Sequence, residues 1–186
     1  MRASHQNIAD TLKWVNPETN VEVKLGSMIG ENMVINPEHK ELLSRILPFD
    51  NMSFEKRIGE GGEGNLYLSK FEDKEFVFKI YKNKNFPRGI EQFRCLRKIK
   101  LLGYETPEVY AATNDLLLID YIPHPTIREY IQNNSVENRG RIFQVWYPQM
   151  IKIRSLLWDE NLDIKDRNGY IIQDTPEVKI GIYNQG

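Results

Sequence analysis

A glycine-rich stretch between two strand-like segments constrains this chain more than any other feature. Its glycines have the spacing Gly59-x-Gly61-x-x-Gly64. Residues that favour β-strands come next, and a charged turn follows them. A second strand-like run then ends on Lys79. Glycine lets a backbone approach a polyphosphate closely and direct its N–H groups at it. In a dinucleotide-binding fold a helix would begin after the glycines, whereas strand-forming residues follow them here. The pattern therefore indicates a strand–loop–strand phosphate site.

Composition limits the class of protein further. The 186 residues, of which 40% are hydrophobic, are enough for one domain or a small two-lobed one. A net charge of -1 provides no general attraction to nucleic acid, so no nucleic-acid partner is expected. The single cysteine, Cys95, excludes an internal disulfide, and no apolar run reaches membrane-spanning length. The 3 scattered histidines and this cysteine offer no plausible zinc set.

The first 35 residues have only weak patterns. Ile8, Leu12 and Val15 have loose helical spacing, and residues 21–25 alternate like a short strand. We interpret this region as a packed N-terminal extension. A partly ordered arm and a targeting segment for a secretion system are the alternatives.

Two helices are predicted on either side of the glycine-rich stretch. Asn36-Pro37 is typical of a helix start, and Pro48 ends the helix, which we expect to dock on the sheet that follows. Residues 89–102 have the apolar spacing of a second helix, in which Glu91 is the only acid. Cys95 of this helix is expected to be a small buried side chain.

Two further strands and a short helix are predicted next. The strands are residues 109–112 and 116–119, on either side of an Asn114-Asp115 turn. The second strand enters an acidic and aromatic connector that begins at Asp120. Thr126-x-x-Glu129 then forms a capping box that opens a short helix.

The last third of the chain combines a long helix with two short strands. An apolar stripe with steps of three and four residues predicts an amphipathic helix after a polar break at residues 133–140, and Pro148 is expected to kink or divide it. The stripe residues, expected in the core, are Phe143, Trp146, Met150, Ile153 and Leu157. Residues 170–172 and 178–182 are predicted to be strands.

These elements, in this order, resemble the protein kinase superfamily, chiefly over residues 54–131. The resemblance implies that the glycine loop contacts ATP. It also implies that Lys79 holds the phosphates and is fixed by an ion pair with Glu91. The connector backbone is implied to bind adenine. The nucleotide-contacting residues that it implies are Ile58, Gly59, Gly61, Gly62, Gly64, Leu66, Lys79, Asp120 and Ile122.

The second half departs from the family pattern, because the H-R-D-L-x-x-x-N catalytic loop is not present as such. Asp163 with Asn168 keeps the aspartate-to-asparagine spacing of that loop. Asp166 with Asn168 shortens it and is similar to short bacterial effector kinases, and we favour this second register. Asn184-Gln185-Gly186 resembles the metal-binding Asp-Phe-Gly motif with asparagine in place of aspartate. An amide supplies Mg²⁺ with only a neutral oxygen, so Asn184 suggests an inactive form or an inactivating substitution.

The resemblance implies an α+β fold, a minimal two-lobed protein-kinase-like fold. The N-lobe is an antiparallel sheet with a helix like αC of kinases, and the helical C-lobe is much reduced. The implied domains are an N-terminal extension (1–53, with a helix near 37–47), the N-lobe (54–122) and the C-lobe (123–186). The implied catalytic residues are Asp166, Asp163, Lys79 and Glu91, and the implied metal ligands are Asn168 and Asn184.

The implied function is that of a minimal ATP- and Mg²⁺-dependent Ser/Thr protein kinase, a bacterial effector or toxin acting on a host protein. Its expected location is the cytoplasm, or a host cytosol after secretion. The alternative is a pseudokinase, a binding module acting through protein–protein interaction. A small-molecule kinase of the same superfamily ranks third, because it would need a larger C-lobe to hold its substrate.

Overall fold

We describe a computed structural model of the chain. The residues it describes are 13–15, 22–24, 33–47, 52–60, 64–82, 88–156, 169–173 and 178–182. The strands are β1 (Lys13–Val15), β2 (Glu22–Lys24), β3 (Val34–Ile35), β4 (Ser53–Glu60), β5 (Gly64–Phe71), β6 (Lys74–Tyr81), β7 (Val109–Ala112), β8 (Leu116–Asp120), β9 (Gly169–Gln173) and β10 (Lys179–Ile182). The helices are a 3₁₀ helix (Pro37–His39), α1 (Lys40–Ile46), α2 (Arg88–Leu101), α3 (Ile127–Asn133) and α4 (Val136–Leu156).

The chain divides into two compact units. The first contains residues 1–93 and 108–121, and the second contains residues 94–107 and 122–186. Helix α2 therefore begins in the first unit and ends in the second. Strand β3 belongs to the sheet of the first unit, so part of the predicted N-terminal extension takes part in that sheet.

The first unit is built on a six-stranded antiparallel sheet with the strand order β3-β7-β8-β6-β5-β4. The antiparallel N-lobe sheet predicted from the sequence is thereby confirmed. Strand β6 lies near its centre, between β5 and β8. Because successive side chains of a strand point to opposite faces, Phe76 and Phe78 face one side of the sheet and Val77 and Lys79 face the other.

Helix α1 covers one face of this sheet, as predicted. Asn36 caps the preceding 3₁₀ helix by accepting a hydrogen bond from the Glu38 N–H, and Pro37 occupies the first helical position. The α1 side chains of Leu43 and Ile46 are buried against the sheet. The core that they share consists of Leu43, Ile46, Met52, Tyr67, Phe71, Phe76, Phe78, Tyr110, Ala111, Leu116 and Leu118.

Helix α2 begins in close contact with the β7–β8 turn. The Gly89 N–H donates to the Asn114 carbonyl at 3.0 Å. A Cβ atom on Gly89 would lie 2.1 Å from the Thr113 carbonyl oxygen and 2.4 Å from that of Leu116. Only glycine fits such an approach of two backbones, so Gly89 sets where α2 starts on the sheet.

The second unit packs its helices against the β9–β10 hairpin. The predicted capping box of α3 is confirmed, since Thr126 Oγ1 accepts from the Glu129 N–H at 3.1 Å and the Glu129 carboxylate accepts from the Thr126 N–H at 2.8 Å. The predicted strands pair antiparallel, with Gly169 opposite Ile182. The core of this unit consists of Cys95, Ile99, Ile127, Tyr130, Ile142, Trp146, Met150, Ile153, Ile171, Ile180 and Ile182.

Three local predictions were wrong. Val15 lies in β1, which pairs with β2, and not in a helix. Helix α4 begins at Val136, inside the predicted polar break. Of the two effects predicted for Pro148, a kink or a division, division does not occur, since the helix continues to Leu156. Phe143 is 39% exposed, and its neighbour Ile142 takes the core position. A helix rotates by about 100° per residue, so a stripe shifted by one residue still has helical spacing. Leu157 lies outside the described residues.

We predict that Gly89→Ala lowers the free energy of unfolding by about 1–3 kcal/mol, because the new methyl group overlaps two backbone oxygens. The control is Gly140→Ala, on α4, where a Cβ atom meets nothing within 4 Å and where alanine should stabilise the helix by up to about 1 kcal/mol. Urea unfolding of both variants measures the difference. A Gly89→Ala protein as stable as the parent would contradict the close approach.

Candidate functional site

The glycine-bearing strand and the predicted lysine are joined by strand pairing in the first unit. Gly59 of β4 lies opposite Leu66 of β5, Leu66 lies opposite Lys79 of β6, and Lys79 lies opposite Leu117 of β8. Directly opposed residues share one face of a sheet. The row therefore brings the start of the glycine-rich loop to the face on which Lys79 lies.

The backbone is crowded at Gly59 and Gly64, the two ends of the loop. A Cβ atom on Gly64 would lie 2.4 Å from the Ile80 carbonyl oxygen, and one on Gly59 would lie 3.1 Å from the Leu66 Cδ1 atom. Glycine at position 64 is thus required by the packing of β5 on β6, whatever else the loop binds. Ile58, just before the loop, is 37% exposed.

Lys79 is buried and is held by the side chain of Gln92 on α2. Only 4% of each residue is exposed. The Lys79 ammonium donates to Gln92 Oε1 at 3.1 Å, and the Tyr81 hydroxyl donates to the same oxygen. The Lys79 Nζ atom also lies 4.7 Å from the centre of the Tyr81 ring. A buried ammonium group needs such partners, because its desolvation is costly.

Lys79 does not form the predicted ion pair with Glu91. Glu91 is exposed, and its carboxylate lies 3.9 Å from Arg88 Nη1, one turn back along α2. The prediction was wrong by one helix position, since neighbouring residues point about 100° apart. The signal for Gln92 was present in the sequence: it lies four and seven residues before Leu96 and Ile99, on the buried side of the helix.

Asp120, predicted to contact nucleotide from the connector, has its side chain on the opposite face from Lys79. It lies opposite Phe76, accepts a hydrogen bond from the Tyr110 hydroxyl and forms an ion pair with Lys74 at 3.2 Å. Burial, together with the hydrogen bond and charge of Asp120, raises the pKa of Tyr110 far above its ordinary value. The phenol therefore stays protonated and donates.

The remaining predicted residues are placed as follows. Leu66 is partly buried in β5, and Ile122 is partly buried in the second unit. Several predicted residues lie outside the described part of the chain: Gly61, Gly62, Asp163, Asp166, Asn168 and Asn184. Of those that are described, the strands bring Gly59, Leu66 and Lys79 together.

No protein-family model and no curated protein sequence matches the chain. Among solved structures, it is similar to the Rio2 kinase from Chaetomium thermophilum, solved as an ADP/Mg²⁺-phosphoaspartate complex, with a TM-score of 0.58 and 16% identity over 79% of this chain and 51% of that one. It is also similar to the Cydia pomonella granulovirus kinase PK-1, with a TM-score of 0.51 and 16% identity over 77% of this chain and 55% of that one. The chain has a protein-kinase-like fold.

The predicted fold class, a reduced two-lobed α+β kinase fold, is thereby confirmed. The chain spans about half the length of these two kinases. In this chain β4 and β5 lie on either side of the glycine-rich segment, and β6 contains Lys79. Among the described residues, no helix is long and apolar enough to cross a membrane.

We predict that Gln92→Leu lowers the free energy of unfolding by about 1–3 kcal/mol, because the Lys79 ammonium and the Tyr81 hydroxyl lose the acceptor that they share. The neighbouring substitution Glu91→Gln is the control and should change it by no more than about 0.5 kcal/mol, since Glu91 is exposed. Guanidinium unfolding measures both. If Glu91→Gln proved the more damaging of the two, the assignment of Gln92 as the partner of Lys79 would fail.

Proposed function

We propose that this chain is a minimal ATP-dependent Ser/Thr protein kinase that acts as a bacterial effector on a host protein. The observation that carries the proposal is the buried Lys79, held by Gln92 beside the glycine-bearing strands of a kinase-like fold. In this proposal the Lys79 ammonium group, which is only 4% exposed, neutralises the charge of a bound polyphosphate.

Several described residues of the first unit have a part in the proposed nucleotide binding. Lys79 neutralises phosphate charge, and Gln92 and Tyr81 orient its ammonium group. Gly59 and Gly64 lie on either side of the glycine-rich segment, and in this proposal the N–H groups of that segment, including those of Gly61 and Gly62, bind the phosphates. Asp120 contributes through its backbone, because its side chain is bound to Tyr110 and Lys74.

For the second unit we propose the chemistry of phosphoryl transfer. Asp166, with Asp163 as the alternative, orients the attacking hydroxyl group. Asn168 and the residue at position 184 would hold Mg²⁺, which would supply positive charge beside the transferred phosphoryl group. Gly169 and Ile182 oppose each other in the β9–β10 pair. This supports the proposal, because Asn168 precedes Gly169 by one residue and Asn184 follows Ile182 by two.

We predict that Lys79→Met weakens ATP binding and, in a protein that also carries Asn184→Asp, lowers phosphoryl transfer by about 100-fold or more, because a positioned charge is lost. Lys56→Met is the control: Lys56 is an exposed lysine on β4, and its removal should change neither quantity. Calorimetric titration with ATP and Mg²⁺ measures affinity. Unchanged affinity and rate in the Lys79→Met protein would exclude this lysine from the site.

The second candidate function is that of a pseudokinase which binds a protein partner without phosphorylating it. Asn184 favours this reading, because a neutral amide replaces a carboxylate where the resemblance places a Mg²⁺ ligand. In this proposal Lys79 binds the phosphates whichever residue occupies position 184, so ATP binding and phosphoryl transfer can be lost separately.

We predict that the chain binds ATP with little transfer, and that Asn184→Asp restores transfer from radiolabelled ATP in the presence of Mg²⁺. Adding Asp166→Asn to that variant should abolish the restored activity, and adding Asp163→Asn should leave most of it. The reverse pattern would assign the catalytic role to Asp163. If Asn184→Asp binds ATP well and remains inert, the pseudokinase is the correct reading.

A further inference from the structure

Three potential metal ligands meet at the edge of the first unit, away from the predicted nucleotide site. Glu38 and His39 belong to the 3₁₀ helix, and Glu108 immediately precedes β7. One ligand atom from each lies within 4.8 Å of the other two. The His39 Nε2 and Glu108 Oε2 atoms are 2.9 Å apart, although the two residues are separated by 69 positions in the sequence.

The backbone that supports these three side chains is held by a buried residue. Asn36 is 2% exposed; its N–H donates to the Tyr110 carbonyl at 2.7 Å and its side-chain amide donates to the Val109 carbonyl at 2.9 Å. The Glu108 carbonyl accepts from the Asp120 N–H at 3.0 Å, which ties this end of β7 to β8. The 3₁₀ helix and β7 therefore keep a fixed separation.

The imidazole ring is oriented as well. The centres of the His39 and Tyr110 rings are 4.6 Å apart, and Tyr110 is fully buried in the core beneath α1. A ring that packs on a buried neighbour has few alternative rotamers. Its Nε2 atom therefore points at the Glu108 carboxylate in advance of any ligand, and such preorganisation favours binding.

The donor set selects a class of ion. One imidazole nitrogen and two carboxylates suit zinc and similar transition metals, whereas Mg²⁺ and Ca²⁺ prefer oxygen ligands alone. Two carboxylates also balance the charge of a divalent ion. Because Glu38 is exposed and the other two side chains are about one quarter exposed, water can complete the coordination.

We propose that Glu38, His39 and Glu108 bind Zn²⁺, and that the ion fastens the segment containing α1 to β7. Neutral His39 would coordinate through Nε2, so the hydrogen bond that it shares with Glu108 would be replaced by bonds from both residues to the metal. The site lies on the α1 side of the sheet, where Tyr110 lies, and Lys79 faces the other side. The proposal is independent of the kinase function.

Zinc alone is the probe for the test. The full chain, stripped with a chelator, is titrated with Zn²⁺ in competition with a chromophoric chelator. One equivalent should bind, and Zn²⁺ should raise the melting temperature, since it binds the folded state. Three substitutions should each weaken Zn²⁺ binding by roughly 10–100-fold or more: Glu38→Gln, His39→Asn and Glu108→Gln. Loss of a residue that only supports a metal ligand already weakens metal affinity by that factor.

The control is Glu41→Gln, on the exposed first turn of α1, which should leave the affinity unchanged. Co²⁺ provides a second measurement, because its visible absorption reports nitrogen and oxygen coordination and should be lost with His39→Asn. Glu38 is exposed, so Glu38→Gln keeps the fold and remains informative if the other variants unfold. If the parent protein binds Zn²⁺ no more tightly than the Glu38→Gln protein does, the proposal is overturned.

Discussion

The buried ammonium group of Lys79 is the constraint on which the candidate site depends. A lysine that is 4% exposed must have polar partners, and the structure supplies the Gln92 amide and the face of the Tyr81 ring. Gln92 can reach Lys79 only because α2 starts against the β7–β8 turn, where Gly89 has no room for a side chain. The start of one helix thus sets the orientation of the lysine.

The alternation of side chains along β6 separates two environments within five residues. Lys74 lies on the α1 side of the sheet, where it forms an ion pair with Asp120 and lies 4.9 Å from the centre of the Tyr110 ring. Lys79 lies on the other side, with Gln92. Two lysines of one strand therefore lie in different surroundings, because they are an odd number of positions apart along the strand.

Much of the candidate site could be predicted from local patterns, and the errors have a common origin. The strands on either side of the glycines, the position of Lys79 and the caps at Asn36 and Thr126 follow from alternation and hydrogen bonding over a few residues. The partner of Lys79 and the core position near residue 143 were each missed by one residue. Helical spacing defines a stripe, but packing decides which of two neighbouring residues lies at its centre.

The sequence by itself determined where strands and helix caps occur and that a lysine ends the strand after a glycine-rich loop, because those features depend on neighbouring residues. Only the tertiary structure decided that Gln92 and not Glu91 meets Lys79, that Asp120 turns its side chain away from that lysine, and that His39 meets Glu108. These outcomes depend on how helices and strands far apart in the chain are rotated against one another. That rotation is set by the packing of whole faces, such as Leu43 and Ile46 on the sheet, and no short stretch of sequence encodes it.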